Sequence, residues 1–149
     1  MPAVPGLRSP HSKVGRLVYV GRMLDKIRLH HAGRLPPDYA ANLGEHRPGL
    51  LDARCCRFLG VSYSDFVARA LQGGSDEDVL AWAQAHGTPR SDDDSEVWNH
   101  YMTRIGWRDS ASGRLQQRIG EYGIQGRGIE TFFDLIEVDE GREPPATNV

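Results

Sequence analysis

Most of the features that announce a function are missing from this sequence. It has two cysteines, and they are neighbours, Cys55 and Cys56. Adjacent thiols cannot build the spaced framework of a small secreted domain, and they lack the C-x-x-C spacing that lets two thiolates share a metal. A reducing cytoplasm is therefore expected, with two ordinary thiols on a short helix, at least one of them buried, and no metal site. Long apolar runs are absent too. The opening MPAVPGLRSPHS has no apolar core of a signal segment, and no window approaches the roughly 18 apolar residues of a membrane span. Nor is there an excess of charge: 18 basic residues against 20 acidic leave a net charge of -2. That balance gives no electrostatic footprint for nucleic acid or for an anionic membrane, and neither is expected as a partner. No G-x-S-x-G, H-E-x-x-H, Walker or Rossmann glycine pattern occurs, so no cofactor is expected either.

What is present is a regular grammar of helix starts and stops. With 149 residues and 39% apolar content, the chain suits one domain with a single core, residues 7–142, between poorly ordered ends at 1–6 and 143–149. A first helix is expected from about Lys13 to Ala32, ended by Gly33. A short one, ARCCRFL, follows Asp52 as its N-cap. Ser62 with Asp65, then Ser75 with Asp78, and then the acidic run after Ser91 open three more, with glycine stops at Gly73, Gly87 and Gly106. Trp107 is expected to fold back on the last of these, and Trp82, Trp98 and Trp107 are all read as core. Two further helices are expected, from about Ser112 to Tyr122 and from about Ile129 to Glu140, unless the latter frays after Glu137. The result is an all-α fold, a compact irregular bundle of about six or seven short helices. One long proline-containing loop, Gly33 to Gly49, interrupts it, with Tyr39 and Leu43 as its anchors.

The segments LRSP, RMLDKIRLHHAGRLPPDY, NLG, RCCRFLGV, GGSDEDVLAW, WNHYMTRIGWRD and FFDLIEVDEGR, in this order and at these spacings, resemble a bacterial family known as domain of unknown function 5069. The resemblance runs from about Leu7 to Arg142. It implies a small stand-alone helical domain and brings no activity or catalytic residue with it.

The candidate chemistry lies on the first helix. At about 100° per residue, Leu17, Val20, Ile27, Arg28 and His31 fall within about 60° of Leu24, and Asp25 lies at the edge of that arc. Arg22, Lys26 and His30 fall opposite and read as solvated surface. Rotation of the last helix puts Asp139 near its apolar face and Glu140 at the edge, where carboxylates opposing the helix dipole need a cation. Asp25, Arg28, His31, Asp139 and Glu140 are thus expected to form one polar cluster, either a structural network or the border of a cleft that also involves Tyr39. Two functions follow from the cleft. One is a binding module for a small polar ligand or partner protein. The other is a metal-independent enzyme with His31 as general acid or base, Arg28 on an anionic substrate, and Asp25 or Asp139 fixing the imidazole tautomer. His46, His86 and His100 are expected in solvent.

Overall fold

Gly15 decides how the chain begins. It takes φ +56°, a conformation that L side chains rarely adopt, and with Arg16 it makes a two-residue turn. The turn joins β1 (Lys13–Val14) to β2 (Leu17–Val18) in an antiparallel hairpin, with Lys13 opposite Val18 and Val14 opposite Leu17. The helix expected from Lys13 therefore begins only at Val20, because the β-branched run around the turn is buried as a strand pair. The computed structural model describes residues 3–145, so the expectation of disordered ends at 1–2 and 146–149 lies outside the described residues. Val4 is not loose: it packs on the small cluster of Leu7, Leu29 and Tyr39.

Helix α1 (Val20–His31) follows the hairpin, then α2 (Pro37–Ala40), α3 (Leu51–Leu59), α4 (Tyr63–Leu71), α5 (Asp76–His86), α6 (Asp92–Arg104), α7 (Ser112–Tyr122) and α8 (Phe132–Asp139). These eight helices of the described residues, with one two-stranded hairpin, make the expected irregular helical bundle, one or two helices richer than expected. The extra turn, α2, sits inside the long loop, where Pro37 occupies the first helical position, at which its missing N–H costs nothing. Tyr39 is buried there and Leu43 half-buried.

The core gathers around α1, with Val20, Met23 and Leu24 fully buried against Leu59, Phe66, Val79, Met102 and Phe133. Two side chains of α6 lock the hairpin to it. Trp98 Nε1 donates to the Val18 carbonyl at 3.1 Å, while Asn99 accepts from the Val18 amide at 3.0 Å and donates to the Arg16 carbonyl at 2.7 Å.

Local signals set most helix starts. Ser75 with Asp78 and Ser91 with Asp94 form complete capping boxes, and Ser62 accepts from the Asp65 amide. Three local expectations fail. Asp52 is not an N-cap; it lies inside the first turn of α3, fully buried, its carboxylate turned inward. Leu71 and Tyr101, whose helical spacing from Val67 and Trp98 predicts that they share a buried stripe with them, are exposed. Trp107 is not core: the chain turns out of the helix at Ile105, and the indole lies exposed against the guanidinium groups of Arg104, in the last turn of α6, and Arg108.

Candidate functional site

Two charged networks grip α1 from different sides. On one, Asp25 accepts from Arg8 Nε at 2.8 Å, from Arg8 Nη2 at 3.0 Å and from the Arg8 amide at 3.0 Å. Arg8 also reaches Asp76 at 2.8 Å, and Arg28 meets the other oxygen of Asp76 at 2.6 Å. Burial alone would raise the Asp76 pKa, but the hydrogen bonds and charges of Arg28 and Arg8 outweigh it and hold it low. This half-exposed network fastens the N-terminal segment and α5 to α1. It contains Asp25 and Arg28 but neither His31, which is exposed, nor any residue of α8.

The second network lies on the side of α1 expected to face solvent. Arg22 and Lys26 are buried, each 4% exposed. Arg22 donates to Glu140 through both terminal nitrogens, at 3.0 and 2.5 Å, and to the Arg8 carbonyl at 3.0 Å. Arg142 adds a second cation to Glu140 at 2.6 Å and reaches Glu137 at 2.9 Å. Burial would raise the Glu140 pKa, yet Arg22 and Arg142 together leave it below the ordinary carboxylate value. Lys26 Nζ donates to Tyr19 Oη at 2.7 Å and pairs with Asp52 Oδ1 at 2.7 Å. Tyr19 Oη donates to the same carboxylate at 2.6 Å, and the Gly44 amide takes Asp52 Oδ2 at 3.0 Å.

Tyr19 is held in an unusual way. Its φ of 74° is rare for a bulky side chain and costs on the order of 1 kcal/mol or more. The strain is sustained by a phenol that is buried and tied at both lone pair and proton. Burial, and then the Asp52 charge, push its pKa well above the ordinary tyrosine value. Burial likewise pushes Lys26 below the ordinary lysine value, with Asp52 pulling the other way.

The second network alone opens onto a cleft of about 570 Å³ between α1, the proline-containing loop, α7 and α8. Tyr19, Arg22 and Lys26 line it, Leu51, Ile105 and Phe132 are among its apolar walls, and Arg47, Arg54, Arg114 and Arg118 stand around it. Tyr39, Asp139 and Glu140 belong to the lining as well. Burial, followed by the Glu140 charge, raises the Tyr39 pKa. A wider hollow of about 810 Å³ runs along the outside of α6, past Val97, Tyr101 and Trp107. Its lining is exposed and holds no buried polar pair, so the cleft is where apolar walls and convergent polar groups coincide, as in small-molecule sites.

The residues that sequence reasoning missed are Tyr19, Arg22, Lys26 and Asp52. Placing Arg22 and Lys26 in solvent assumed that α1 buries one arc. It is instead covered nearly all round, and acids from α3 and α8 neutralise its second face. One signal was available: of 18 basic residues only Lys13 and Lys26 are lysines. Among the described residues no group of three or more His, Cys, Asp or Glu is placed to hold a metal ion, and no helix is long and apolar enough to cross a membrane.

A family model described as Domain of unknown function (DUF5069) matches residues 4–142. The chain belongs to that family. No curated protein matches it.

Proposed function

We propose that this member of the DUF5069 family is a binding domain that takes a small anion with an apolar body into the cleft. The observation that carries the reading is where charge is left over. Among the described residues Arg22, Lys26, Arg47, Arg54, Arg114 and Arg118 line the cleft against two acids, Asp139 and Glu140, in a chain whose net charge is -2. The two deep cations are already matched by Glu140 and Asp52. At the mouth the balance differs. Arg47 donates to the neutral Asn42, Arg54 to the Gly49 carbonyl and the Tyr101 hydroxyl, and Arg114 has no ion pair among the described residues, so that of the four only Arg118 has a carboxylate, Glu121 at 3.8 Å. Guanidinium groups without carboxylates, set around a concave apolar wall, concentrate positive potential there and suit the paired oxygens of a carboxylate or phosphate.

These cations surround a concavity with apolar walls, which favours a small molecule over nucleic acid or a membrane surface. In this reading α1 contributes Arg22 and Lys26 to the site, where the sequence suggested Asp25, Arg28 and His31. The alternative enzyme built on His31 gains no support, since that imidazole is exposed and does not line the cleft. A reducing cytoplasm remains the proposed location, supported by two buried free thiols.

Thermal shift against inorganic phosphate, citrate and octanoate tests the proposal, because an anion that binds only the folded state raises the melting temperature. Octanoate, with an apolar chain behind its carboxylate, should give the largest rise. The combined Arg47→Ala, Arg54→Ala and Arg114→Ala variant should lose it. Equal shifts in the native protein and the variant would overturn the reading, as would no shift with any of the three.

A further inference from the structure

We infer that the cleft also carries amine chemistry: Lys26 condenses with the carbonyl group of an anionic aldehyde or ketone, forming an imine beside Tyr19 and Asp52. The inference rests on the anion-binding reading above and adds a reaction to it. Among the described residues arginine supplies every other cation of the cleft, and a guanidinium is not a nucleophile at neutral pH. Among the described residues Lys26 is the one lining residue with a primary amine, and Lys13, the other lysine, is an exposed side chain on the hairpin.

The surroundings of the amine suit the reaction. An ammonium has three N–H bonds; Lys26 meets Tyr19 Oη and Asp52 Oδ1, both at 2.7 Å, its third N–H has no partner among the described residues, and the side chain lines the cleft. Burial lowers the pKa of Lys26, so the neutral amine is more accessible than on a solvated lysine. Asp52 sits where it can take the proton that must leave. Tyr19, whose hydroxyl touches both groups, is held in its place by the rare backbone conformation described above.

The step balances without any further reagent. Lys26 gives a proton to Asp52, and the neutral nitrogen adds to the carbonyl carbon. The oxygen of the adduct takes one proton from that nitrogen, and the proton stored on Asp52 completes a leaving water. Ammonium and carbonyl become iminium and water, with one positive charge on each side and no change of oxidation state. The mouth arginines would hold the carboxylate or phosphate of the same molecule.

The test treats the native protein with pyruvate and sodium cyanoborohydride, which reduces an iminium to a stable secondary amine, and then maps the label by peptide mass spectrometry. Lys26 should be labelled about tenfold faster than Lys13 despite its burial, and inorganic phosphate should slow labelling at Lys26 alone. Tyr19→Phe should slow it further. Labelling of Lys13 with Lys26 untouched, in protein that still shows the anion-dependent thermal shift, would overturn the inference and spare the binding reading. Lys26 labelling without any anion-dependent shift would support amine chemistry and remove the binding reading instead. Since the decisive comparison uses native protein, it does not depend on whether a variant lacking Lys26 folds.

Discussion

Arg22 and Glu140 are joined by two hydrogen bonds across 118 positions of sequence, and their side chains are 5% and 2% exposed. The pair clasps the first long helix to the end of the last, beside the cleft that both helices line. A clasp of this kind is asymmetric in its energetics. As a pair it contributes little beyond well-packed apolar groups, but losing one partner strands a charge that is already desolvated.

Arg22→Ala should therefore destabilise the fold by about 3 to 5 kcal/mol in urea unfolding, with Arg142 absorbing only part of the Glu140 charge. Arg127→Ala, on an exposed turn, should stay within about 0.5 kcal/mol. The double variant Arg22→Met with Glu140→Leu should recover much of the loss. If Arg22→Ala behaves like Arg127→Ala, the pair is not clasped in solution.

Tyr19→Phe removes a single oxygen from the Lys26 and Asp52 pair. The ion pair survives, but each member loses a buried partner, and a loss of about 1 to 3 kcal/mol is expected. Tyr101→Phe, an exposed phenol that Arg54 touches, provides the comparison and should cost less than about 0.5 kcal/mol. Similar values for the two would mean that the Tyr19 hydroxyl is not committed to this network.

The difference between those two tyrosines also explains what the sequence could and could not reveal. Capping boxes at Ser75 and Ser91 are legible because donor and acceptor lie three residues apart, so the whole interaction is written in one short stretch. The glycine at position 15 was equally local, but its turn was read through by a helical apolar pattern that Val14, Leu17 and Val18 satisfy as well as a strand does. Arg22 and Lys26 are another matter. Their burial is decided by Asp52 and Glu140, on elements far along the chain, and a helical wheel drawn for α1 alone has no place for them. Asp25 illustrates the converse: its rotation to the edge of the apolar arc was readable, whereas its partner Arg8, in a segment without periodicity, was not. Of the residues proposed from sequence, Tyr39, Asp139 and Glu140 line the cleft, while Asp25, Arg28 and His31 do not.

Acid should unfold the protein in two stages. His11 packs edge-on to Phe133 with ring centroids 5.0 Å apart, and its Nε2 is buried without a hydrogen-bond partner among the described residues. Burial lowers its pKa, against the opposing pull of Glu137 and Asp134. A depressed folded-state pKa means that the unfolded chain binds the proton first, so the contribution is present above the unfolded value, about 6.5, and is lost as pH falls through the folded one. Glu140 and Asp76 are depressed too, and the stability they contribute is lost later, below about pH 4. Urea midpoints at successive pH values should show both limbs in the native protein. In His11→Gln only the lower one should remain; a persisting upper limb would assign it to another group.

The two thiols should be silent until the protein opens. Cys55 and Cys56 are both buried, and burial pushes Cys56 up to about 12 and Cys55 well above its ordinary value. Thiolate, the reactive form, is therefore scarce at neutral pH, and access is closed as well. A disulfide reagent such as DTNB should react at the rate of unfolding, accelerating with urea. Fast labelling of either cysteine in native buffer would show α3 to be open on one side.

Stability and ligand binding should separate along the depth of the cleft. The floor cations are held by carboxylates inside the fold, so their removal is felt as lost stability whether or not a ligand exists. Arg114 stands at the mouth, exposed and without an ion pair among the described residues, and its charge has no folding partner to abandon. Arg114→Ala should leave the urea midpoint unchanged within about 0.5 kcal/mol. The same variant should weaken octanoate binding about tenfold, close to 1.4 kcal/mol, as expected for one charge-assisted contact. Raising the salt should reduce affinity in the native protein more than in the variant, since charges near the surface are screened over about 8 Å at physiological ionic strength. A calorimetric titration at two salt concentrations measures both quantities at once. If Arg114→Ala binds octanoate as the native protein does, with the same salt dependence, the mouth of the cleft does not read the anion.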